Sequence, residues 1–264
     1  MGDATGIQWT DATWNPIRGC SRVSEGCRNC YAEGVARRFS GPGQPYEGLV
    51  NAQGRWNGTV RFIEGHLDQP RRWTRPRRIF VNSMSDLFHE ALTDEQIDRI
   101  FEVMEATPRH NFQVLTKRAK RMARYVAERY GIDSDDRVPG HIWLGVSAED
   151  QAAWSFRVPQ LLTFRGVRWV SVEPQTGRIA ADADTLSCLD WIVVGGESGP
   201  GARPFDPAWA REFVAEGAVA RTPIFVKQLG RQPVGLRLSD PKGGDMSEWP
   251  EDLRVRQFPC GVRS

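Results

Sequence analysis

The chain has 264 residues, enough for one large α/β domain or two small ones. Its composition is that of a globular protein, with 40% hydrophobic and 26% charged residues, and a net charge of +2 neither requires nor excludes a nucleic-acid partner. No window approaches the roughly 18 apolar residues of a membrane helix, and the N-terminus lacks an apolar signal core, so we expect an intracellular, cytoplasmic protein without a membrane partner.

The first predicted strand, at 13–17, leads into a glycine-rich loop that holds three of the five cysteines. Cys20, Cys27 and Cys30 are spaced C-x6-C-x2-C. Thiolates this close in sequence can converge on one soft metal centre, and in a reducing compartment clustered cysteines are ligands more often than a disulfide. A structural zinc site needs four ligands, whereas an iron–sulfur cluster held by three thiolates leaves one iron open. The spacing alone allows either.

Cys260 lies in the C-terminal tail and is the cysteine that could act as a fourth ligand. If it closes the site, a structural metal becomes the better interpretation. Cys188 fits a small buried hydrophobic residue. The histidines show no paired zinc-ligand spacing. They are His66, His89, His110 and His141.

Six apolar runs rich in β-branched and aromatic residues follow the cysteine loop, with starts 23 to 33 residues apart. This is the length of a strand–helix–strand unit, so the runs are predicted to be buried parallel strands. They lie at 79–83, 112–116, 141–146, 167–172, 190–195 and 223–227.

The segments between these strands contain helix signals, such as capping residues, apolar stripes and a terminal glycine. Helices are predicted after the capping box of Thr93 and Gln96, over 120–130 before Gly131, over 148–163 around Pro159, and from Asp206 and Pro207 onward.

The alternation predicts an α/β fold, a partial or complete parallel (β/α) TIM-like barrel in a single domain with loop insertions. A doubly wound open sheet has the same alternation, and both folds bind ligands at the carboxyl ends of the strands. We expect the barrel to cover 1–230, with a loop insertion at 40–65 that could act as a lid. The polar tail, 231–264, is expected to be an extension packed on the barrel.

Polar residues follow nearly every predicted strand, and because parallel strands end at one rim, they predict an active site there. We expect catalytic roles for Asp86, His89, Lys117 and Lys227, with His89 suited to acid–base chemistry. The glycine-rich segment at 195–201 could bring its backbone close to an anionic ligand, with Glu197 and Arg203 as its functional side chains.

Basic residues form two groups that could follow a phosphate backbone, or could be solvated surface. The predicted nucleic-acid contacts are Arg71, Arg72 and Arg75 around Trp73, and Arg118 and Arg121 after the third strand.

The cysteine loop ahead of a parallel β/α array resembles the radical S-adenosylmethionine (SAM) superfamily, although its members commonly space the cysteines C-x3-C-x2-C. The resemblance implies that Cys20, Cys27 and Cys30 hold a [4Fe-4S] cluster that cleaves SAM reductively to a 5′-deoxyadenosyl radical. It also implies a reductant protein such as flavodoxin or ferredoxin. Its pattern assigns SAM binding to Ser83, Ser85, Asp86, Ser147, Glu149, Glu173, Gly195, Gly196, Glu197 and Ser198.

A closer resemblance is to an uncharacterised, phage-associated three-cysteine family. The matching stretches are 9–10, 13–16, the cysteine loop, 80–89, 115–118, 144–147, 172–174, 195–199 and 227–228. This resemblance implies the cluster and no established reaction.

Our main hypothesis is a radical SAM enzyme acting on DNA, RNA or a nucleotide, by modification or photoproduct repair. The alternatives are a non-catalytic nucleic-acid-binding protein with a structural zinc or iron–sulfur site, and a degenerate barrel that serves as a partner subunit of another enzyme.

Overall fold

The computed structural model of the protein describes residues 5–131, 133 and 137–259, so Cys260 lies outside the described residues. Within them, seven parallel strands form one sheet in the order β1-β4-β5-β6-β7-β8-β9, and β2 and β3 form a separate antiparallel pair. The strands are β1 Ala12–Trp14, β2 Ile17–Arg18, β3 Arg61–Phe62, β4 Arg78–Val81, β5 Asn111–Thr116, β6 Ile142–Ser147, β7 Val167–Val172, β8 Trp191–Gly195 and β9 Ile224–Gln228.

Each of the six predicted apolar runs overlaps one strand of the large sheet, with bounds that differ by at most two residues, which confirms the α/β class. The strands of this sheet follow one another in chain order. A doubly wound sheet reverses its strand order at a switch point, and this sheet has no such reversal. The strand order is therefore the one that a partial β/α barrel has.

The first predicted strand, 13–17, is wrong as a single element because the chain leaves the large sheet after Trp14. Pro16 has no N–H group to donate to a ladder, and the Asn15 side chain bonds to Ser83 and to the amide of Met84. The chain then re-forms a short strand, β2, which pairs with β3.

Four of the eight helices in the described residues were predicted from the sequence, namely Asp94–Glu105, Ala119–Tyr130, Gln151–Leu161 and Pro207–Ala220. Both hydrogen bonds of the Thr93–Gln96 capping box are present. Gly131, with φ of +83°, ends the helix Ala119–Tyr130. The helices are α1 Tyr31–Arg38, α2 Glu64–Leu67, α3 Gln69–Arg72, α4 Asp94–Glu105, α5 Ala119–Tyr130, α6 Gln151–Leu161, α7 Ala183–Ser187 and α8 Pro207–Ala220. Pro159 stands inside α6, which ends two residues later.

The chain folds as two compact units. The first contains the residues up to Gly145 together with Thr163–Val167, and the second contains Val146–Leu162 and the residues from Arg168 onward. No helix in the described ranges is long and apolar enough to cross a membrane.

In the first unit, the 40–65 insertion is mostly turns and packs against the cysteine loop. Cys20 and Cys30 lie against a buried apolar cluster. Its members are Ala32, Ala36, Tyr46, Leu49, Trp56 and Met84. Because two of the three thiols rest on this cluster, the insertion supports the loop that carries them.

In the second unit, the tail runs beside β9. The amide of Val226 donates to the carbonyl of Val255, and the amide of Gln257 donates to the carbonyl of Ile224. The indole of Trp191 also donates to the carbonyl of Gln257. These bonds fix residues 255–257 to the edge of the sheet.

We predict that Thr93→Ala lowers the free energy of unfolding by about 1 kcal/mol, because it removes the hydroxyl that caps the amide of Gln96. Urea denaturation of the full chain measures the change. Glu102→Ala, on the exposed face of the same helix, is the control and should stay within about 0.5 kcal/mol of the parent. Equal losses in the two variants would contradict a specific effect of the cap.

Candidate functional site

The cysteine loop begins at a glycine that its surroundings require. Gly19 has φ of +94°, and a Cβ at this position would lie 2.1 Å from the carbonyl oxygen of Thr59. Any other residue would push the chain away from Thr59. Gly19 therefore fixes the backbone directly before Cys20.

The other two cysteines stand on short helical elements. Cys27 ends the 3₁₀ turn Glu25–Cys27, and Cys30 is the N-cap residue of α1. All three thiols are free and partly exposed. The loop thus presents Cys20 from a segment without regular structure, Cys27 from a turn and Cys30 from the start of a helix.

The pKa of the Cys20 thiol is raised to about 12, chiefly by burial and secondly by the Asp86 carboxylate. The Arg118 guanidinium acts in the opposite direction, with its Nη1 lying 4.0 Å from the sulfur. Cys27 and Cys30 also contribute to the rise, which places the three thiols within electrostatic range of one another. Cys20 is therefore a protonated thiol at neutral pH.

Burial also raises the pKa of the Cys30 thiol. The backbone amides of Glu33 and Ala32, in the first turn of α1, oppose this rise, and so does the Lys117 ammonium. Amides at a helix N-terminus stabilise negative charge, so the position suits a thiolate that binds a metal.

In the described part of the chain, no three His, Cys, Asp or Glu side chains are arranged as a metal-binding group. The chemistry of the donor set nevertheless fits a soft metal, because three thiols lie on one eleven-residue loop and Cys27 and Cys30 both raise the pKa of Cys20. Binding would require them to lose their protons. The predicted fourth ligand, Cys260, cannot be placed here because it lies outside the described residues.

Arg118 connects the cysteine loop to the carboxyl ends of β4 and β5. Its Nη1 is 3.0 Å from Asp86, its Nη2 donates to the Ser21 hydroxyl at 2.7 Å, and its Nε lies 2.8 Å from Glu90. The side chains of Arg118 and Asp86 are only 5% and 9% exposed, whereas that of Glu90 is 66% exposed. The guanidinium is therefore committed to partners inside the first unit.

Asp86 accepts hydrogen bonds on both carboxylate oxygens. Oδ1 accepts from the Thr116 hydroxyl at 2.7 Å and from the amide of Phe88 at 3.0 Å. Oδ2 accepts from the amide of Lys117 at 3.1 Å and from Arg118. The carboxylate thus holds the loop after β4 against the end of β5, and its lone pairs are engaged by the protein.

His89 lies behind the same network. Its Nδ1 accepts from the amide of Ala91 at 3.1 Å, so in the neutral ring the proton resides on Nε2, which lies 2.9 Å from the Ser21 hydroxyl. Burial, and secondly Arg118, lower the pKa of His89. The imidazole is therefore a neutral donor to Ser21, and it would not take a proton from that hydroxyl.

Two predicted serines join neighbouring loops. The Ser83 hydroxyl bonds to the Asn15 side chain, and the Ser83 carbonyl accepts from the Tyr31 hydroxyl at 2.6 Å. The Ser85 hydroxyl donates to the carbonyl of Ile17 at 3.1 Å. The structure thus brings the loop after β4 together with the chain just before the cysteines.

Lys117 differs from its neighbours because its ammonium makes no hydrogen bond or ion pair with the described residues. It is close enough to Cys30 to lower that thiol's pKa. Among the predicted residues of the first unit, Lys117 thus offers a cation beside the cysteine loop that is available to an anionic ligand.

Asn82 was missed by the sequence analysis. It follows β4 directly, is 3% exposed and has φ of +60°. Neither Nδ2 nor Oδ1 of its amide has a hydrogen-bond partner in the described residues. A strained residue with an unsatisfied buried amide is costly, which makes it a candidate for a ligand contact. The available signal was an asparagine, a residue that tolerates left-handed backbone, at the end of an apolar run.

In the second unit, Glu173 and Lys227 form an ion pair. Lys227 Nζ lies 3.0 Å from Glu173 Oε2, while the buried Oε1 has no partner in the described residues. The pair joins the ends of β7 and β9.

The glycines after β8 are required by close packing. A Cβ on Gly195 would lie 2.8 Å from Glu173 Oε1, and one on Gly196 would lie 2.7 Å from the carbonyl oxygen of Leu229. Glu197 is buried and binds Arg203 through both carboxylate oxygens, at 2.8 and 3.1 Å, with Ser198 next in the loop. The Glu197–Arg203 ion pair and the close packing at Gly195 and Gly196 therefore hold this loop in place.

Glu149 and Ser147, at the end of β6, are both buried. Arg157 donates to the Glu149 carboxylate at 2.8 Å and to the carbonyl of Ser147 at 2.8 Å. The carbonyl of Glu149 also accepts from the amide of Thr176. This group fastens α6 and the loop after β7 to the end of β6.

The basic residues are placed differently from one another. Arg71 pairs with Asp68 at 3.2 Å, and Arg121 pairs with Asp94 at 2.9 Å and also bonds to the carbonyls of His89 and Leu92. Arg75 and Arg72 are exposed. Trp73 is buried, with Arg77 over its ring. Arg71, Arg72 and Arg75 thus lie on the surface, whereas Arg118 and Arg121 are held in ion pairs.

A family model described as "Protein of unknown function (DUF5131)" matches residues 4–247 of the chain. No curated protein and no solved structure is similar enough to the chain to be matched.

We predict that Arg118→Gln lowers the free energy of unfolding by about 3–5 kcal/mol, because it leaves the buried Asp86 carboxylate without its counter-charge. Arg118→Lys keeps the charge but loses the planar fork, so its loss should be smaller. Arg124→Gln, an exposed arginine on α5, is the matched control and should cost under about 1 kcal/mol. Chemical denaturation that showed similar losses for positions 118 and 124 would contradict this role.

We predict that Asn82→Gly leaves the free energy of unfolding unchanged or raises it by about 1 kcal/mol, because it removes a strained φ and an unsatisfied amide. Denaturation of the ligand-free chain tests this. Arg221 is the other non-glycine residue of the described chain with positive φ. Arg221→Gly is therefore the control, because it measures the gain in stability that comes from relieving backbone strain alone. A loss above about 1 kcal/mol at position 82 alone would mean that Asn82 stabilises the fold and is not kept for a ligand.

Proposed function

The chain belongs to a family of proteins of unknown function, and we propose that it is an iron–sulfur enzyme that reductively cleaves SAM and acts on a nucleic acid or nucleotide. The observation that carries the proposal is the gathering of three thiols on one loop of the first unit, beside the carboxyl ends of β4 and β5. The proposal includes a partial β/α barrel of the radical SAM type, a cytoplasmic location and a flavodoxin or ferredoxin as reductant.

Cys20, Cys27 and Cys30 would hold the [4Fe-4S] cluster. When bound, the cluster supplies the electron for cleavage of SAM to a 5′-deoxyadenosyl radical, which abstracts hydrogen from the substrate. The protein's own contribution is positioning. Gly19 fixes the backbone before Cys20, and Arg118 anchors the adjacent Ser21 to the end of β5.

The residues around the loop divide into supporting and ligand-binding groups. Asp86 is engaged by four protein donors, so its role in the proposal is to hold the loop after β4 in place. Lys117 is suited to bind an anionic group such as a carboxylate, because it has no counter-ion in the described residues. Asn82 offers a donor and an acceptor that the protein does not use.

His89 keeps a supporting role in the proposal. With Nδ1 accepting from Ala91, it donates through Nε2 to Ser21 and so fixes the hydroxyl that Arg118 also binds. In the second unit, Glu173 and Lys227 are suited to exchange a proton with a substrate, since a paired lysine and carboxylate can each act as acid or base. The assignments of Ser147, Glu149 and the 195–198 loop to SAM stay predictions.

A second candidate is a non-catalytic protein that binds nucleic acid and carries a structural zinc or iron–sulfur site. It is favoured by the packing of Cys20 and Cys30 against the buried apolar cluster, because a structural metal site is closed to solvent by the fold. This candidate requires a fourth ligand, such as Cys260, and it excludes cleavage of SAM.

We predict that anaerobic reconstitution loads the chain with about four irons, that Cys27→Ala abolishes the cluster absorbance, and that Cys188→Ala leaves it intact. Cys188 lies outside the loop and is exposed, so the expectation that it is buried was wrong, and it controls for loss of any thiol. Iron and sulfide analysis, followed by detection of 5′-deoxyadenosine after reduction with SAM present, measures the two parts of the proposal. Zinc in place of iron, or a reduced cluster that yields no 5′-deoxyadenosine, would support the second candidate.

A further inference from the structure

A polar cavity of about 380 Å³ opens in the first unit, between β1, β2 and the two short helices α2 and α3. It is distinct from the network around Arg118, whose residues do not line it. The lining includes Thr13, Asn15, Arg18, His66, Gln69 and Arg72, together with Gly65. A volume of this size accommodates a small polar ligand.

The lining is cationic and contains no carboxylate. The nearest acidic residues in sequence are Glu64 and Asp68, and each is held by an arginine outside the lining. Glu64 pairs with Arg99 at 2.5 Å, and Asp68 pairs with Arg71 at 3.2 Å. The two arginines of the cavity therefore carry positive charge without a local counter-ion, which is the condition for binding an anion.

Neither cavity arginine forms an ion pair with the described residues. Arg18 donates from Nη1 to the carbonyl of Pro45 and packs over the ring of Tyr46, while its buried Nε has no partner. Arg72 makes a single long contact, 3.5 Å from Nη2 to the carbonyl of Gly65. Arg18 is thus held in place by contacts that leave donors unused, and Arg72 is nearly unrestrained.

His66 adds a third polar group. Its Nδ1 lies 3.0 Å from the carbonyl oxygen of Asn15, so Nδ1 carries the proton and the ring is fixed by the backbone of the first unit. The carbonyl of His66 in turn accepts from the indole of Trp14. Its Nε2 makes no hydrogen bond with the described residues. In the neutral ring this nitrogen accepts, so it can receive the O–H of a protonated phosphate, and in the charged ring it can donate to a phosphate oxygen.

We propose that this cavity binds a phosphate group. Guanidinium groups match phosphate oxygens in geometry and charge, and the two that line the cavity lack any competing carboxylate. The proposal goes beyond the cluster chemistry and does not depend on it, because none of the three cysteines lines the cavity. The phosphate could belong to free phosphate, to a nucleotide or to a nucleic-acid backbone, and the chemistry of recognition is the same.

The test is calorimetric titration of the full chain, free of metal, with inorganic phosphate, adenosine 5′-monophosphate and a short single-stranded oligothymidine. Arg72→Gln should weaken binding of the probes about 5-fold or more, because it removes one charge-assisted contact. Arg124→Gln is the control, since Arg124 is an exposed arginine of α5 that pairs with Asp94 and does not line the cavity. It should leave binding within about 2-fold.

Proton–nitrogen NMR of the imidazoles locates the bound group. The chain has four histidines, and His66→Asn assigns the His66 signals while keeping a donor near Nδ1. The His66 signals should shift on addition of phosphate. Similar affinity for all three probes indicates that the cavity recognises the phosphate alone. A higher affinity for the oligonucleotide than for the other two indicates that the phosphate belongs to a nucleic-acid backbone.

Three outcomes would overturn the proposal. They are no binding of any probe by the parent chain, equal weakening by Arg124→Gln and Arg72→Gln, and His66 signals that do not move. Because the metal-free chain is used, each outcome is independent of whether the chain assembles a cluster or cleaves SAM.

Discussion

The first unit depends on one buried charge pair. Arg118 and Asp86 lie at the ends of consecutive strands of the sheet, and both are withdrawn from water. A buried pair is tolerated when its remaining lone pairs and protons are satisfied, and here Thr116, Ser21 and two backbone amides satisfy them. The same guanidinium reaches Ser21, so the geometry of the cysteine loop depends on the ends of β4 and β5.

Much of the fold could be predicted from the sequence because its signals are local. Apolar runs at regular spacing gave six strands, and the capping box of Thr93 gave the start of α4. The split of the first strand could not be predicted, because it depends on Asn15 bonding to Ser83 and Met84, nearly seventy residues away. Within the run, Pro16 was the one local sign that a strand would be interrupted there.

The position of the candidate site could be predicted from the sequence, but the roles of its individual residues could be predicted less well. Placing polar residues after each strand was enough to single out Asp86 and Lys117. A sequence shows charges but not their partners, so Arg118 and Arg121 were assigned to nucleic acid although they pair with carboxylates in the first unit. Asn82 could not be identified, since its unsatisfied amide and its backbone strain exist only in the folded chain.

The pairing of charges also separates two kinds of cationic residue in this protein. Arg118 supports the fold, because its guanidinium is bonded to the Asp86 and Glu90 carboxylates and to the Ser21 hydroxyl. Lys117, Arg18 and Arg72 have no carboxylate partner in the described residues. Lys117 and Arg18 are half-buried and Arg72 is exposed, and none of the three gains ion-pair stabilisation in the ligand-free chain. Their placement is explained if an anion supplies the missing charge. Lys117 stands beside the cysteine loop and the two arginines line a separate cavity, so the argument leads to two anionic groups and not one.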